Sequence, residues 1–169
     1  MSHRAYLLLG SNIDPELNLP AACRLLAAQG RIIATSQVWE SAPADGSRQA
    51  NYLNAAVLLE TELTAESLRS TVLPAIESEL GRVRDPHDKH APRTIDIDIA
   101  LFDRDVMDLA GARIPDPDIE RRPFVTIPLA EIDPDYVHPE NGRTLRELAD
   151  ALSTRSALTL RSDVKLTDV

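Results

Sequence analysis

The sequence predicts an α+β domain built on a ferredoxin-like β-α-β-β-α-β core, an antiparallel sheet with helices on one face and C-terminal additions. Three observations predict it: short apolar runs bounded by turn residues, two stretches with apolar residues every three or four positions, and the order in which they alternate. Tyr6 to Leu9 is an apolar run stopped by Gly10-Ser11-Asn12, which reads as a buried strand feeding a loop. Asp14 is placed to cap a helix, Pro15 suits its first position, and Leu19, Cys23, Leu26 and Ala27 form its apolar stripe up to Gly30. Ile32 to Trp39 reads as a second strand. A Pro/Gly loop from Ser41 to Gly46 leads to a third, Tyr52 to Glu60. Thr64 and Glu66 open a second helix whose Leu68, Val72, Ile76 and Leu80 share a face, with Pro74 as a kink and Gly81 as the stop. Residues 95 to 102 form the fourth core strand.

Pro123 to Ile132 and Arg143 to Leu152 read as two short helices at the periphery, separated by the loop DPDYVHPENG. In the tail, Leu158, Leu160, Val164 and Leu166 fall on even positions, as on one face of an edge strand, a hairpin or an oligomer contact. At 169 residues the chain fits one domain, spanning 1 to 169 with its core at about 5 to 152.

Composition bounds the function. No stretch approaches the ~18 apolar residues of a membrane span, and the N-terminal apolar run is too short for a signal sequence. Cys23 is the only cysteine, so an internal disulfide and a thiolate metal site are excluded and a reducing cytoplasm is expected. A net charge of −9 argues against nucleic-acid or anionic-membrane partners, which need a basic face. Small-molecule substrates are the expected partners, with the chain a monomer or weak homo-oligomer.

The segment RDPHDKHAPRTIDIDIALF carries the chemistry. Strand alternation puts Ile95, Ile97, Ile99 and Leu101 on one face and Asp96, Asp98, Ala100 and Phe102 on the other. Two carboxylates ~5 Å apart repel by about 3 kcal/mol at an effective dielectric of 20. A divalent cation offsets that cost, and Mg²⁺ suits hard oxygen ligands completed by water and substrate phosphate. The alternative is a solvated strand face on which alternating aspartate is merely polar. Arg82, Arg84, Lys89 and Arg93, crowded just ahead of the strand in an acidic chain, shift the balance, because arginine forks match phosphate oxygens. Metal, arginines and a loop free to close are phosphoryl-transfer equipment. No P-loop is present, so side chains and metal must hold the phosphates. His87 and His90 are i, i+3 but have no further close ligands, and Cys23 reads as packing.

The motifs LLLGSN, NYLNAAV, GRVR, APRTIDIDIALF and RPFVTIPLAEI, in that order, resemble the 6-hydroxymethyl-7,8-dihydropterin pyrophosphokinases of folate biosynthesis. The resemblance runs from about residue 5 to 152 and implies transfer of the β,γ-pyrophosphoryl unit of ATP to the pterin hydroxymethyl oxygen, releasing AMP. It implies that Asp96 and Asp98 hold two Mg²⁺ ions, and that Arg82 and Arg93 are catalytic, with Arg93 stabilising the transferring group. Arg84, Lys89, Ile99 and Arg122 fall where ATP is bound. Tyr52 and Phe124 correspond to the aromatics that sandwich the pterin, and Asn54 to the amide that reads its edge. Gly10, Ser41, Ala42 and Ala44 complete that pocket, and Glu77 matches a nearby glutamate. Three departures stand out: His90 where the family often has Trp, Asp116 where many members have His, and one extra residue between Arg84 and Arg93. They motivate an alternative, a nucleotide- or pterin-binding module with little or no turnover. An RNA-binding sheet needs exposed aromatics and basic charge, and this chain has only three Tyr, two Phe and one Trp.

Overall fold

A computed structural model describes residues 1–109, 111–154 and 157–167. Strand β1 (His3–Ser11) is followed by α1 (Pro15–Ala27), β2 (Arg31–Thr35), β3 (Trp39–Ser41) and β4 (Tyr52–Thr61). Then come α2 (Ala65–Ser67), a π turn (Leu68–Val72), α3 (Leu73–Glu79) and β5 (Asp96–Phe102). The main sheet has the order β5-β1-β4-β3-β8, with β2 also on β4, and each of these pairings is antiparallel.

Local chemistry accounts for the departures from simple periodicity. Asp14 occupies the cap position of α1, but its backbone is left-handed at φ 44° and its side chain makes no cap bond, so the expected Asp cap is absent. Thr64 does cap, its hydroxyl accepting the Ser67 N–H at 3.1 Å. The expected kink at Pro74 takes the form of the π turn before α3, in which the helix widens just ahead of a residue that has no N–H to give. The predicted strand from Ile32 to Trp39 is broken in two. At the break the Ser36 hydroxyl accepts the Ala56 N–H at 2.8 Å, displacing the backbone carbonyl that would continue the ladder.

Helices cover both faces of the sheet, which corrects the expectation of one covered face. On the first face Leu7, Leu9, Leu59 and Ile97 pack with Leu19, Cys23 and Leu26 of α1 and Ile76 of α3. On the second, Tyr6, Ala56 and Leu58 pack with Val125 and Leu129 of α4 (Pro123–Ile132) and Leu145 and Leu148 of α5 (Leu145–Ser153). The two C-terminal helices expected at the periphery therefore close a second core. Their sealing of that face is why β4 is buried almost end to end. Burying a leucine such as Leu129 contributes about 2 kcal/mol.

The strict alternation expected of residues 95 to 102 holds through Ala100, which joins the second core. Tyr6 pairs with Leu101 while Leu7 pairs with Ile99, so β5 carries an extra residue at Ala100. Leu101 consequently joins the second core and Phe102 the first, opposite to expectation. A hairpin of β6 (Met107–Leu109) and β7 (Ala112–Ile114) follows, which periodicity did not reveal. Strand β8 (Thr159–Leu160) pairs with β3 as an edge strand, yet the even-position face does not survive. Leu160 stays exposed while Val164 and Leu166 turn into the first core.

Candidate active site

The sheet brings the expected residues into one row. Asp96 on β5 lies opposite Gly10 on β1, Gly10 opposite Asn54 on β4, and Asn54 opposite Trp39 on β3. Asp98 lies opposite Leu8. Beyond β5 a cavity of about 1100 Å³ opens, walled by α3, residues 82 to 93 and β6. Glu77, Arg82, Arg84, Lys89, Arg93, Asp96, Asp98 and Ile99 all line it. Leu73, Pro74, Ile97 and Leu109 add apolar surface, and Glu66, Arg69, Ser70 and Asp108 add polar surface that the sequence did not single out.

Charges alternate along the cavity floor. Glu77 is buried on α3, where its Oε2 accepts the Ile97 N–H at 3.1 Å and a hydrogen bond from Arg82, and its Oε1 accepts from Arg84 at 3.2 Å. Arg82, with its side chain 8% exposed, also donates to Asp96 Oδ1 at 2.9 Å, and Arg93 donates to Asp96 Oδ2 at 2.9 Å. The series Arg84, Glu77, Arg82, Asp96, Arg93 thus neutralises itself link by link. Burial raises the Glu77 carboxyl, against the lowering by Arg82 and the Ile97 N–H. Burial also draws the Arg82 guanidinium down, but Asp96 and Glu77 together carry it above its ordinary value.

Asp98 is different. Desolvation raises its carboxyl first, and Asp96, Asp116 and Glu77 add to the rise, which reaches about 8. One side of the group remains open to solvent in the cavity, which tempers both the desolvation and the repulsion from the three like charges. Asp116 itself is raised by burial, against the lowering by the Asp118 N–H that its Oδ1 accepts at 2.9 Å. The mutual repulsion expected of the pair is therefore resolved unequally. Two arginines compensate Asp96, and Asp98 is left facing anions.

Among the described residues no group of three or more His, Cys, Asp or Glu side chains is arranged as a complete ligand set. The donors present are a few hard carboxylate oxygens beside an open cavity, which fits a cation that takes most of its ligands from water and phosphate. His87 and His90 belong to an exposed loop shaped by Asx turns, their N–H groups donating to Asp85 at 2.8 Å and Asp88 at 2.9 Å.

The residues expected to hold the ring lie outside this cavity, at the neighbouring end of the sheet. Asn54 donates through Nδ2 to the Ser41 hydroxyl at 2.8 Å and the Trp39 carbonyl at 3.2 Å, which fixes its amide. A Cβ at Gly10 would come within 3.7 Å of Asn54 Oδ1 and 3.9 Å of Tyr52 Cδ1, so a glycine keeps that corner open. Burial raises the Tyr52 hydroxyl, which also feels Arg93 and Asp96. Ala42 and Ala44 sit exposed in the adjoining loop and Phe124 is half-buried in the first turn of α4, while Arg122, expected with the nucleotide, also lies outside the cavity, half-exposed at the start of α4 and 4.0 Å from Asp118. Asn12, legible in the sequence only as a turn-former after β1, is buried beside the site, its Oδ1 accepting the Arg93 N–H at 2.8 Å and its Nδ2 donating to Gln49 Oε1 at 2.8 Å.

A family model for 7,8-dihydro-6-hydroxymethylpterin-pyrophosphokinase matches residues 6–134. A Synechocystis 2-amino-4-hydroxy-6-hydroxymethyldihydropteridine pyrophosphokinase is 39% identical over 150 residues, covering 88% of this chain and 75% of that protein. The Pseudomonas aeruginosa protein of the same name is 37% identical, covering 89% and 93%, and that of Methylorubrum extorquens 41%, covering 85% and 90%. Among solved structures, a Plasmodium falciparum HPPK-DHPS with pteroate superposes at a TM-score of 0.70 with 15% identity over 92% of this chain. An HPPK-DHPS in complex with substrates gives 0.71 with 12% identity over 90%. This chain spans only 43% and 44% of those two chains, and at such identity the likeness is one of fold. The match across residues 6–134 and the identity to relatives over most of its length place this chain in the 7,8-dihydro-6-hydroxymethylpterin-pyrophosphokinase family.

Proposed function

We propose that this protein transfers pyrophosphate from ATP to the hydroxymethyl group of 6-hydroxymethyl-7,8-dihydropterin in folate biosynthesis, releasing AMP. Family membership supports the reaction, and the observation that carries it in this chain is the cavity floor on which Arg82 and Arg93 grip Asp96 beside an uncompensated Asp98. The strand order, with β1 flanked by β5 and β4 and with β2 and β3 both paired to the far side of β4, supports a ferredoxin-like reading of the core within one domain.

The hydroxymethyl oxygen attacks the β-phosphorus and gives up its proton to cavity water as the bond to the α-phosphate oxygen breaks and AMP leaves. Arg82 and Arg93, positioned on Asp96, trade that carboxylate for the oxygens of the transferring group and stabilise charge that grows there. Arg84, Lys89, Ile99 and Arg122 bind the nucleotide. Tyr52 and Phe124 hold the flat ring, Asn54 reads its edge, and Gly10, Ser41, Ala42 and Ala44 shape the pocket. Asp96 and Asp98 are the residues that would hold Mg²⁺, two ions being the expected number. Bound there, the metal supplies charge neutralisation and alignment of the triphosphate. Glu77 supports the site from behind by holding Arg82 and Arg84.

Among the described residues no helix is long and apolar enough to cross a membrane. A cytoplasmic location, a monomeric or weakly oligomeric state and small molecules as the only partners belong to the same proposal. The test is direct: incubate the protein with ATP, Mg²⁺ and the hydroxymethyl-dihydropterin and follow AMP. Stoichiometric AMP is expected. Its absence at saturating substrates would leave the binding-only module, which Asp116 and His90 favour as the second reading.

A further inference from the structure

The large cavity opens beyond β5, and the C-terminal tail closes the opposite edge of the same sheet, on β3. The tail lies beyond residue 134, where the family match ends. Strand β3 is only three residues long, yet its Trp39 carbonyl and Ser41 hydroxyl are the two acceptors that fix the Asn54 amide. A strand that short frays unless both of its edges are held. β4 holds one edge. β8 holds the other, with Leu160 opposite Trp39, Thr159 opposite Glu40 and the Arg161 N–H donating to the Val38 carbonyl at 2.9 Å.

The Arg161 side chain adds a second hold. Its Nη1 donates to Glu40 Oε1 at 2.8 Å, its Nε and Nη2 donate to the two Asp163 oxygens at 2.9 Å each, and Nη2 lies 3.4 Å from Glu16 Oε1 on α1. A planar guanidinium can grip several carboxylates at fixed angles, where an ammonium would serve as one point charge. The second oxygen of Glu40, Oε2, accepts from Asn51 Nδ2 at 3.3 Å. Glu40 precedes Ser41 and Asn51 precedes Tyr52, so one carboxylate joins the two ends of the loop that carries Ala42 and Ala44. Past Arg161, Val164 and Leu166 are buried in the first core and anchor the tail.

We infer that Arg161 is a positioning residue for pterin binding: the anchored tail holds Glu40, and through Glu40 the two ends of the ring-binding loop and the acceptors that orient Asn54. This rests on the proposed pyrophosphokinase reading. Ring affinity then depends on a side chain that stands outside the ring pocket. The tail and the nucleotide cavity lie at opposite edges of the sheet, so loss of the Arg161 hold weakens pterin binding and spares the nucleotide.

The experiment titrates 6-hydroxymethyl-7,8-dihydropterin into the parent, Arg161→Ala, Glu40→Ala and the double variant, each with Mg²⁺ and a saturating non-hydrolysable ATP analogue, and measures affinity for the analogue separately. Each single variant should weaken pterin binding by about fivefold, and the double variant by no more than about the same factor, because two residues on one path do not add. Affinity for the analogue should stay within about twofold of the parent throughout. In Glu40→Ala the Arg161 guanidinium keeps Glu16 and Asp163, so a general loosening of the tail would make the two losses multiply. Losses that multiply, pterin affinity unchanged in Arg161→Ala, or an equal loss of analogue affinity each overturn the inference, while AMP formation by the parent leaves the enzyme reading standing. Melting temperatures check that the proteins fold. Should Arg161→Ala fail to fold, Glu40→Ala decides alone, an unchanged pterin affinity overturning the inference. A parent that forms no AMP and binds neither ligand overturns both.

Discussion

Asp96 and Asp98 leave one strand two residues apart, yet the fold treats them as opposites. On the arginine side of the cavity floor, both Asp96 oxygens are gripped and the adjoining Glu77 is buried between Arg82 and Arg84. On the acidic side, Asp98 faces Asp96, Asp116 and Glu77, and its carboxyl is pushed up to about 8. The arginine side satisfies itself within the chain. The acidic side is satisfied only by a proton or a cation, as the proposed metal and polyphosphate site requires.

The largest effect expected from breaking this asymmetry is at Asp98. On the proposed role of Asp98 in holding the metal, its loss removes several kcal/mol of transition-state stabilisation, so Asp98→Ala should lower AMP formation on the order of 10³-fold. Stability should move the other way. The folded-state pKa of Asp98 is raised above its unfolded value, so the folded protein prefers the protonated form. Its contribution is harmless below the unfolded pKa of about 4 and becomes destabilising as pH rises from there toward about 8. In EDTA the melting temperature of the parent should fall between pH 5 and pH 8, and Asp98→Asn should flatten that slope. An unchanged slope would show that Asp98 is not the strained group.

Arg93→Ala comes next, on the opposite side. A preorganised donor to the transferring group is worth about 10²-fold or more in kcat, with a smaller change in KM for ATP. The variant also frees one oxygen of Asp96, bringing that residue closer to the state of Asp98. Equal losses in kcat and in ATP affinity would reduce Arg93 to a binding contact.

What the sequence revealed follows from the range over which each signal acts. The paired aspartates and the preceding cations are legible because strand period and chain neighbourhood are local properties, and α4 was placed at its observed bounds for the same reason. The inequality of Asp96 and Asp98 was not legible, because it is set by Arg82, Glu77 and Asp116, which arrive from α3 and from the end of β7 through tertiary folding. The bulge at Ala100 is invisible to alternation for a related reason. It is a property of how β5 pairs with β1, and the run of apolar residues after Ile99 fits either face. The second helical layer was misjudged because α4 is apolar nearly all round, a pattern that states burial without saying against what.

A middle-sized effect tests the self-contained side. Glu77→Gln keeps an oxygen for the Ile97 N–H but removes the charge between Arg82 and Arg84, leaving Arg82 with Asp96 as its remaining anion. A stability loss of about 1–2 kcal/mol is expected by denaturant titration, below the cost of stripping a buried charge of every partner. A gain in stability would mean that Glu77 is strained like Asp98 and that the two sides of the floor are alike.

The smallest effect belongs to Asp116, and it sharpens the comparison most. Asp116→Asn retains an Oδ1 for the Asp118 N–H, so the 3₁₀ turn at Pro117–Glu120 keeps its cap while one of the charges facing Asp98 disappears. The carboxyl of Asp98 should then titrate lower, moving the pH-dependent loss of stability in EDTA toward more acidic values, with turnover changed by only about two- to threefold. Asp116→Ala removes charge and cap together, so it should shift the pH profile in the same direction but also lower the melting temperature at every pH. A profile that stays fixed in Asp116→Asn would confine the repulsion to Asp96 and Glu77. The acidic side would then be built by the strand and α3 alone, with the turn after β7 a bystander.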